Sequence, residues 1–490
     1  MPSSVTAALQ RALEARPEAI ALVDRRRRLT YRELATEVDG AAAALNRRDV
    51  VAGTRVAASL PNGVDIVVAF LATLRLGAVW VGIHRAYTAA ERQALLDDAE
   101  PTVYLTEPLA AAPVPGPLPP STVAPTAPAA IAYTSGTTGA PKGAVHSQHN
   151  LVVAAAMTDQ GGGGDRIGVC LPLTTLNLMI LGAIQALVRG GTCVCMDRTD
   201  AVGVAEWVAE ERIDRMSVPP TIAYDLLTSQ DVAPSQLQTL VQLGVGAAHC
   251  PEGLDALYLE RFGHPLRVGY GLTEAPSVVA RQAPGTAGAT GSDGSPVSAG
   301  IALPHLAVTI RDDEGACLSA GQRGEICVGA APAGRWADLY TTMLGYWRKP
   351  DESREALRGG VLHTGDVGWL DGDANLFVMG RRAEVIVRGG VTIHPAEIER
   401  VVGDDPQVAE CAVVGRTHPR LGEEVVVFVR PLPGEAFDAG EARARCAERL
   451  ARHKVPAEFI IVDRLPRNAM GKVVRSDLHP STGSATYGQR

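Results

Sequence analysis

The sequence lacks an apolar run of the roughly 20 residues that a membrane-spanning helix needs. Its longest candidate, residues 64–83, is broken by Asp65, Arg75 and several glycines. It also lacks an excess of positive charge. Lysine and arginine number 46 against 54 acidic residues, a net of −8, which argues against a protein that coats nucleic acid. The first residues lack the basic-then-apolar order of a secretory signal. Cysteine is sparse and scattered, at Cys170, Cys193, Cys195, Cys250, Cys317, Cys327, Cys411 and Cys446. Only Cys193 and Cys195 lie close together, in TCVCM, where strand alternation puts both on one face. No further ligand flanks the pair, so the expectation is buried structural thiols, not a metal site or disulfides. Internal repeats are absent.

What is there supports a folded cytoplasmic protein. Hydrophobic residues make up 46% of the chain and charged ones 20%, enough for a large core and against overall disorder. A length of 490 residues allows two or three domains. Residues 8–15 and 29–47 carry helical apolar spacing; 20–24 and 55–61 read as strands, with the arginines at 25–28 in a solvated hairpin between. Residues 64–83 continue as helix then strand. The proline-rich stretch 107–130 reads as a surface connector, and the glycines at 161–164 as a loop. From 166 to 281 strands and helices alternate, which predicts a mostly parallel sheet covered by helices. Residues 295–380 are richer in strands and turns. After 380 the pattern becomes a small α+β unit. The expected architecture is therefore α/β: a large domain over 1–380 with helix-covered, mostly parallel sheets and a β-rich part, and a small α+β domain over 381–490.

The segment from Tyr133 to Gly143, YTSGTTGAPKG, is the richest in chemistry. A strand runs into glycines and hydroxyls and ends in Lys142. Glycines bare backbone N–H groups, hydroxyls add donors and the lysine adds charge, a combination that suits a polyphosphate. The spacing differs from the P-loop, since Gly143 stands where a Mg²⁺-binding hydroxyl would follow the lysine.

This segment resembles the phosphate loop of the adenylate-forming superfamily: acyl-CoA synthetases, peptide-synthetase adenylation domains and luciferases. Further segments match in order. GYGLTE at 269–274 resembles the Y-G-x-T-E block, and TGD at 364–366 the ribose-binding T-G-D. Gly380-Arg381, Gly389-Gly390 and IHPAEI at 393–398 resemble the hinge and first C-terminal motif. PRNAMGK at 466–472 resembles the P-R-x-x-x-G-K block. TYREL at 30–34 and GYW at 345–347 are softer matches.

The resemblance implies a two-step reaction. A carboxylate attacks the α-phosphate of ATP, giving an acyl-adenylate and pyrophosphate; a thiol then takes the acyl group and AMP leaves. It implies that Thr134, Ser135, Gly136, Thr137, Thr138 and Gly139 wrap the phosphates with Lys142. Thr273 would bond the α-phosphate and Glu274 would hold Mg²⁺, a cation that favours oxygen ligands. Tyr270 would stack on adenine, Asp366 would accept from the ribose hydroxyls, and Arg381 would contact ribose or phosphate. Lys472 would bridge carboxylate and α-phosphate. The small domain would then rotate about the hinge and bring Gly389 and Gly390 to a pantetheine tunnel, with CoA as the expected co-substrate.

Two departures from the family pattern carry information. Ala383 stands at the hinge position, where aspartate or lysine is usual. LPLTTLN at 171–177 stands where acyl-CoA synthetases carry P-L-F-H, and His249 takes a position often held by proline. Thr174, Thr175, Asn177 and His249 would add polar groups to an acyl pocket otherwise lined by Gly246, Ala247, Gly271 and Ala275. A buried polar group needs a partner, so the expected acid is small or aryl with a polar substituent. No aspartate stands in 171–178 to pair a substrate ammonium, which disfavours an amino acid. Alternatives are an enzyme that loads a carrier protein or a nitrogen nucleophile, and a non-catalytic nucleotide-binding regulator.

Overall fold

A computed structural model describes residues 1–110, 123–134, 141–158, 166–246, 254–262, 266–282, 298–337, 339, 342–389, 391–467 and 473–479. Four sheets organise these residues. One has nine strands. Its centre is parallel and runs through Ile20–Val23, Thr192–Cys195, Arg166–Val169, Arg215–Val218, Gln242–Val245 and Arg267–Tyr270. Antiparallel strands close both edges. A second sheet has six strands, with Arg55–Ala58 parallel to its neighbours Val79–Gly82 and Val103–Leu105. At the other end of that sheet the antiparallel pair Pro128–Thr134 and Lys142–Ser147 carries the hydroxyl-rich turn.

Helices cover these two sheets as the alternation predicts. Tyr31–Asn46 starts on a capping box, in which Thr30 accepts from the Glu33 N–H and Glu33 reaches back to the Thr30 N–H. Val64–Arg75 is apolar around most of its circumference because it lies inside the core, with ten of its residues buried. A four-stranded antiparallel sheet, Leu306–Arg311, Gly324–Ala330, Leu362–Leu370 and Leu376–Arg381, forms the β-rich part. The last sheet has five strands from Ile386 onward. It packs the helices Pro395–Gly403 and Ala439–Arg449 on its own apolar cluster, the α+β unit that the sequence predicts.

Three expectations need correction. The stretch 107–130 is not connector to its end, because Pro128–Thr134 is a strand and Ala129 and Ala130 are buried. The arginines at 25–28 form a hairpin, but they are not merely solvated: Arg27 pairs with Glu37 and Asp65, and Arg28 with the buried Glu211. Of the cysteines, Cys170, Cys193, Cys195, Cys327 and Cys446 are buried, Cys411 is half-buried and Cys317 is exposed. Cys250 and the glycines at 161–164 lie outside the described residues. No helix among the described residues is long and apolar enough to cross a membrane.

Candidate active site

The C-terminal ends of strands in three sheets meet at one place. Thr134 and Lys142 face each other as the last pair of their antiparallel strands, and the Thr134 hydroxyl donates to the Lys142 carbonyl at 3.3 Å. Gly345–Tyr346 pairs with the strand that Lys142 begins. That pairing sets the Tyr346 ring 5.3 Å from the Lys142 ammonium and lets the Tyr346 hydroxyl donate to Glu274 at 3.0 Å. Burial and the Glu274 carboxylate both push the Tyr346 phenol above its ordinary value, so it stays a donor.

Beside this group the Tyr270 hydroxyl donates to Asp366 at 2.5 Å, and the Arg381 guanidinium lies 3.1 Å from the other carboxylate oxygen. Tyr270 ends its strand, and Asp366 and Arg381 are paired residues on neighbouring strands of the four-stranded sheet. Burial, then the Asp366 charge, holds the Tyr270 phenol well above its usual range. Burial works against the charge on Arg381, but Asp366 first and Glu274 second outweigh it and raise its pKa. The two groups thus form one field: Arg381 feels both carboxylates.

A fully buried histidine supports the acidic loop. His146 Nε2 donates to the Thr273 carbonyl at 2.9 Å, and the Glu274 carbonyl accepts from Met343 N–H at 2.8 Å. Burial lowers the His146 pKa to about 4, so it is neutral, with its proton on Nε2. Sequence reasoning assigned no role to His146 or Tyr346. The signal available was a polar residue inside a buried strand and a tyrosine in the GYW match.

The proposed acyl segment lies between the two large sheets. Gly82 ends a strand of the six-stranded sheet, and a Cβ there would stand 1.9 Å from the Thr174 carbonyl oxygen. Only glycine permits that approach. Asn62 pins the same loop by donating to the Leu171 and Met196 carbonyls and accepting from Leu173 N–H. Thr174 is buried, and its hydroxyl has no hydrogen-bond partner among the described residues. Thr175 precedes the helix Leu176–Met179, which runs on through a π-helical turn at Ile180–Ile184. The Asn177 side-chain oxygen accepts from Ser277 N–H at 3.2 Å, so it holds protein backbone. Ser277 needs that support, since its φ is +78°. Gly271 approaches the Ser277 carbonyl so closely that a Cβ would lie 1.9 Å from it, and Ala275 is fully buried. Gly246 follows the strand Gln242–Val245, beside the Gly269 carbonyl.

Gly389 turns a hairpin between Ile386–Arg388 and Val391–Ile393 with φ +60°. Ala383 sits in the single turn Arg382–Glu384 that follows Arg381. Arg382 pairs with Asp313 in the four-stranded sheet region, whereas Glu384 pairs with Arg475 near the chain's end. Ser135, Gly136, Thr137, Thr138, Gly139, Ala247, His249, Gly390 and Lys472 lie outside the described residues.

Comparison with known proteins follows the same lines. The profile of the AMP-binding enzyme family matches residues 9–118 and 106–347, and that of the AMP-binding enzyme C-terminal domain matches 397–472. An indoleacetate–CoA ligase of Aromatoleum aromaticum is 32% identical, covering 94% of each chain. The o-succinylbenzoate CoA synthetase of Bacillus subtilis, solved with its acyl-adenylate intermediate, superposes with a TM-score of 0.86 at 27% identity over 99% of both chains. The same enzyme solved with ATP and magnesium gives a TM-score of 0.81 at 27% identity over 96% of this chain and 98% of that one.

Proposed function

The chain belongs to the AMP-binding enzymes and is an AMP-forming acid–CoA ligase, and from that premise we propose that it activates a small or aryl carboxylic acid bearing a polar group and transfers the acyl group to CoA. The observation that carries this reading is the convergence of Lys142 and Glu274 on Tyr346, with Arg381 paired to Asp366 and within the field of Glu274. Two carboxylates and two cations there suit a nucleotide with its metal and its ribose.

In the first step a carboxylate oxygen of the acid bonds to the α-phosphorus of ATP, and the bond from that phosphorus to the bridging oxygen breaks, releasing pyrophosphate. Negative charges crowd together, so positioning and charge stabilisation do the catalysis. We assign Thr134, Lys142 and the turn 135–139 to the phosphates, Thr273 to the α-phosphate, Tyr270 to adenine, Asp366 and Arg381 to the ribose side, and Lys472 to the attacking carboxylate. Glu274, beside Tyr346, presents hard oxygen donors of the type Mg²⁺ takes. Such an ion, when bound, neutralises phosphate charge. In the second step the CoA thiolate attacks the acyl carbon, and AMP leaves with the bridging oxygen.

The hinge reading places rotation at Ala383, with Arg382 held to the large part of the chain and Glu384 to the small one, within a few residues of the 380/381 boundary expected from sequence. Gly389 and Gly390 would then line the thiol path. Relatives named for indoleacetate and o-succinylbenzoate support an aryl acid. The Thr174 hydroxyl, without a partner among the described residues, supports a polar substituent on it. The need for ATP and CoA supports a cytoplasmic location.

The test is pyrophosphate release across a panel of aryl, short-chain and long-chain acids, with CoA present or absent. We expect aryl acids with hydroxyl or amino groups to lead and acyl-CoA to form. A preference for long saturated chains would overturn the substrate class, and acyl-adenylate that CoA never consumes would overturn the acceptor.

A further inference from the structure

Asp366 sits on a bulge. The strands Gly324–Ala330 and Leu362–Leu370 pair Cys327 with His363 and Glu325 with Val367. Between those pairs one strand has only Ile326, whereas the other has Thr364, Gly365 and Asp366. Two extra residues are thus thrown out of the ladder, and they aim Asp366 away from it. Gly365 takes φ +72° to make the turn. Left alone, such a bulge is a flexible support for a ligand-binding carboxylate.

A buried carboxylate holds it. Glu325 Oε1 accepts from Gly365 N–H at 3.1 Å, at the centre of the bulge. Glu325 Oε2 accepts from His363 Nδ1 at 2.8 Å and from the Arg358 guanidinium at 3.0 Å. The Thr364 hydroxyl completes the brace by donating to the Ile326 carbonyl and accepting from Asp366 N–H. The three donors that converge on Glu325 fix its orientation. Burial opposes its charge, but the bonds from His363 and Gly365 and the Arg358 charge keep its pKa below the ordinary value. Cys327, 3.4 Å from the same His363 nitrogen, completes a group of oxygen, nitrogen and sulfur atoms close enough to surround a cation. Arg358 already supplies the positive charge there, so the group is a hydrogen-bond network.

We propose that Glu325, oriented by His363 and Arg358, is a positioning residue that fixes Asp366 for the ribose of the nucleotide. The proposal rests on the reading of Asp366 as the ribose carboxylate. It predicts that Glu325 acts only through the ribose hydroxyls.

The experiment compares kcat/KM for ATP and 2′-deoxy-ATP in wild type, Glu325→Gln, Arg358→Met and Asp366→Asn. Glutamine has the shape of glutamate, but its amide hydrogens must face either Gly365 N–H or the Arg358 and His363 donors, so the brace breaks without a cavity. Arg358 is half-exposed, and its replacement keeps the fold if Glu325→Gln does not. Wild type is expected to favour ATP at least about tenfold. Asp366→Asn should abolish that preference, and Glu325→Gln and Arg358→Met should cut it to less than about threefold. If both variants keep the wild-type preference while Asp366→Asn loses it, the positioning role is wrong. If wild type shows no preference, or Asp366→Asn retains it, the ribose reading itself is wrong.

Discussion

Single side chains carry the most specific consequences of this structure. Thr174 buries a hydroxyl that finds no partner among the described residues, and an orphan of that kind costs about 1–3 kcal/mol. Thr174→Val should therefore raise the melting temperature. It should also lower kcat/KM about fivefold for an aryl acid whose hydroxyl bonds Thr174, and leave the unsubstituted acid unaffected. Equal effects on both acids would remove Thr174 from the pocket. His146 gives a pH signature. Its folded pKa near 4 lies below the ordinary 6.5. Between those values the unfolded chain binds a proton that the folded chain refuses, so stability present above pH 6.5 is lost as pH falls toward 4. His146→Gln should remove up to about 1.4 kcal/mol per pH unit of that slope in denaturant titrations at pH 7 and pH 5. The buried His305, also lowered to about 4, should sustain the rest. An unchanged slope in His146→Gln would mean that this histidine is already protonated in the fold. The roles of both residues were hidden from sequence for a physical reason. A hydroxyl without a partner, or an imidazole turned toward a distant carbonyl, is defined by what lies across the chain, not by neighbours in it.

Elements position these side chains through a few contacts that admit only one residue. At Gly82 the end of one sheet meets the loop of another, where a Cβ would run into the Thr174 carbonyl. Gly82→Ala should cost at least about 1–3 kcal/mol in urea unfolding, and should impair acid binding along with stability. A variant as stable as wild type would show that the two sheets can part without cost. The helix and strand order was legible because apolar periodicity is local, as in residues 29–47, where spacing and structure agree on the helix Tyr31–Asn46. The motifs were legible too: Tyr270, Asp366 and Arg381 are distant in sequence, and the structure draws them within hydrogen-bonding reach. The strand at Pro128–Thr134 was misjudged at its start, because its first residues share the proline and alanine composition of the stretch before them. That Asn177 also holds the Ser277 backbone was not legible, because nothing local reveals the strained Ser277 that needs it.

At the scale of the whole molecule the account requires two arrangements of a small domain about Ala383. A proline there restricts the backbone that must turn. Ala383→Pro should slow one half-reaction roughly tenfold more than the other when adenylate formation and thioester formation are assayed separately. Equal rates relative to wild type would place the pivot elsewhere. The acid passes through a mixed anhydride with AMP, and oxygen tracing follows that bond. With acid carrying ¹⁸O in both carboxylate positions, plus ATP and CoA, mass spectrometry of the nucleotide product should find AMP heavier by one ¹⁸O atom, because the oxygen that attacks phosphorus stays with AMP. Unlabelled AMP, or label recovered in inorganic phosphate beside ADP, would contradict the account.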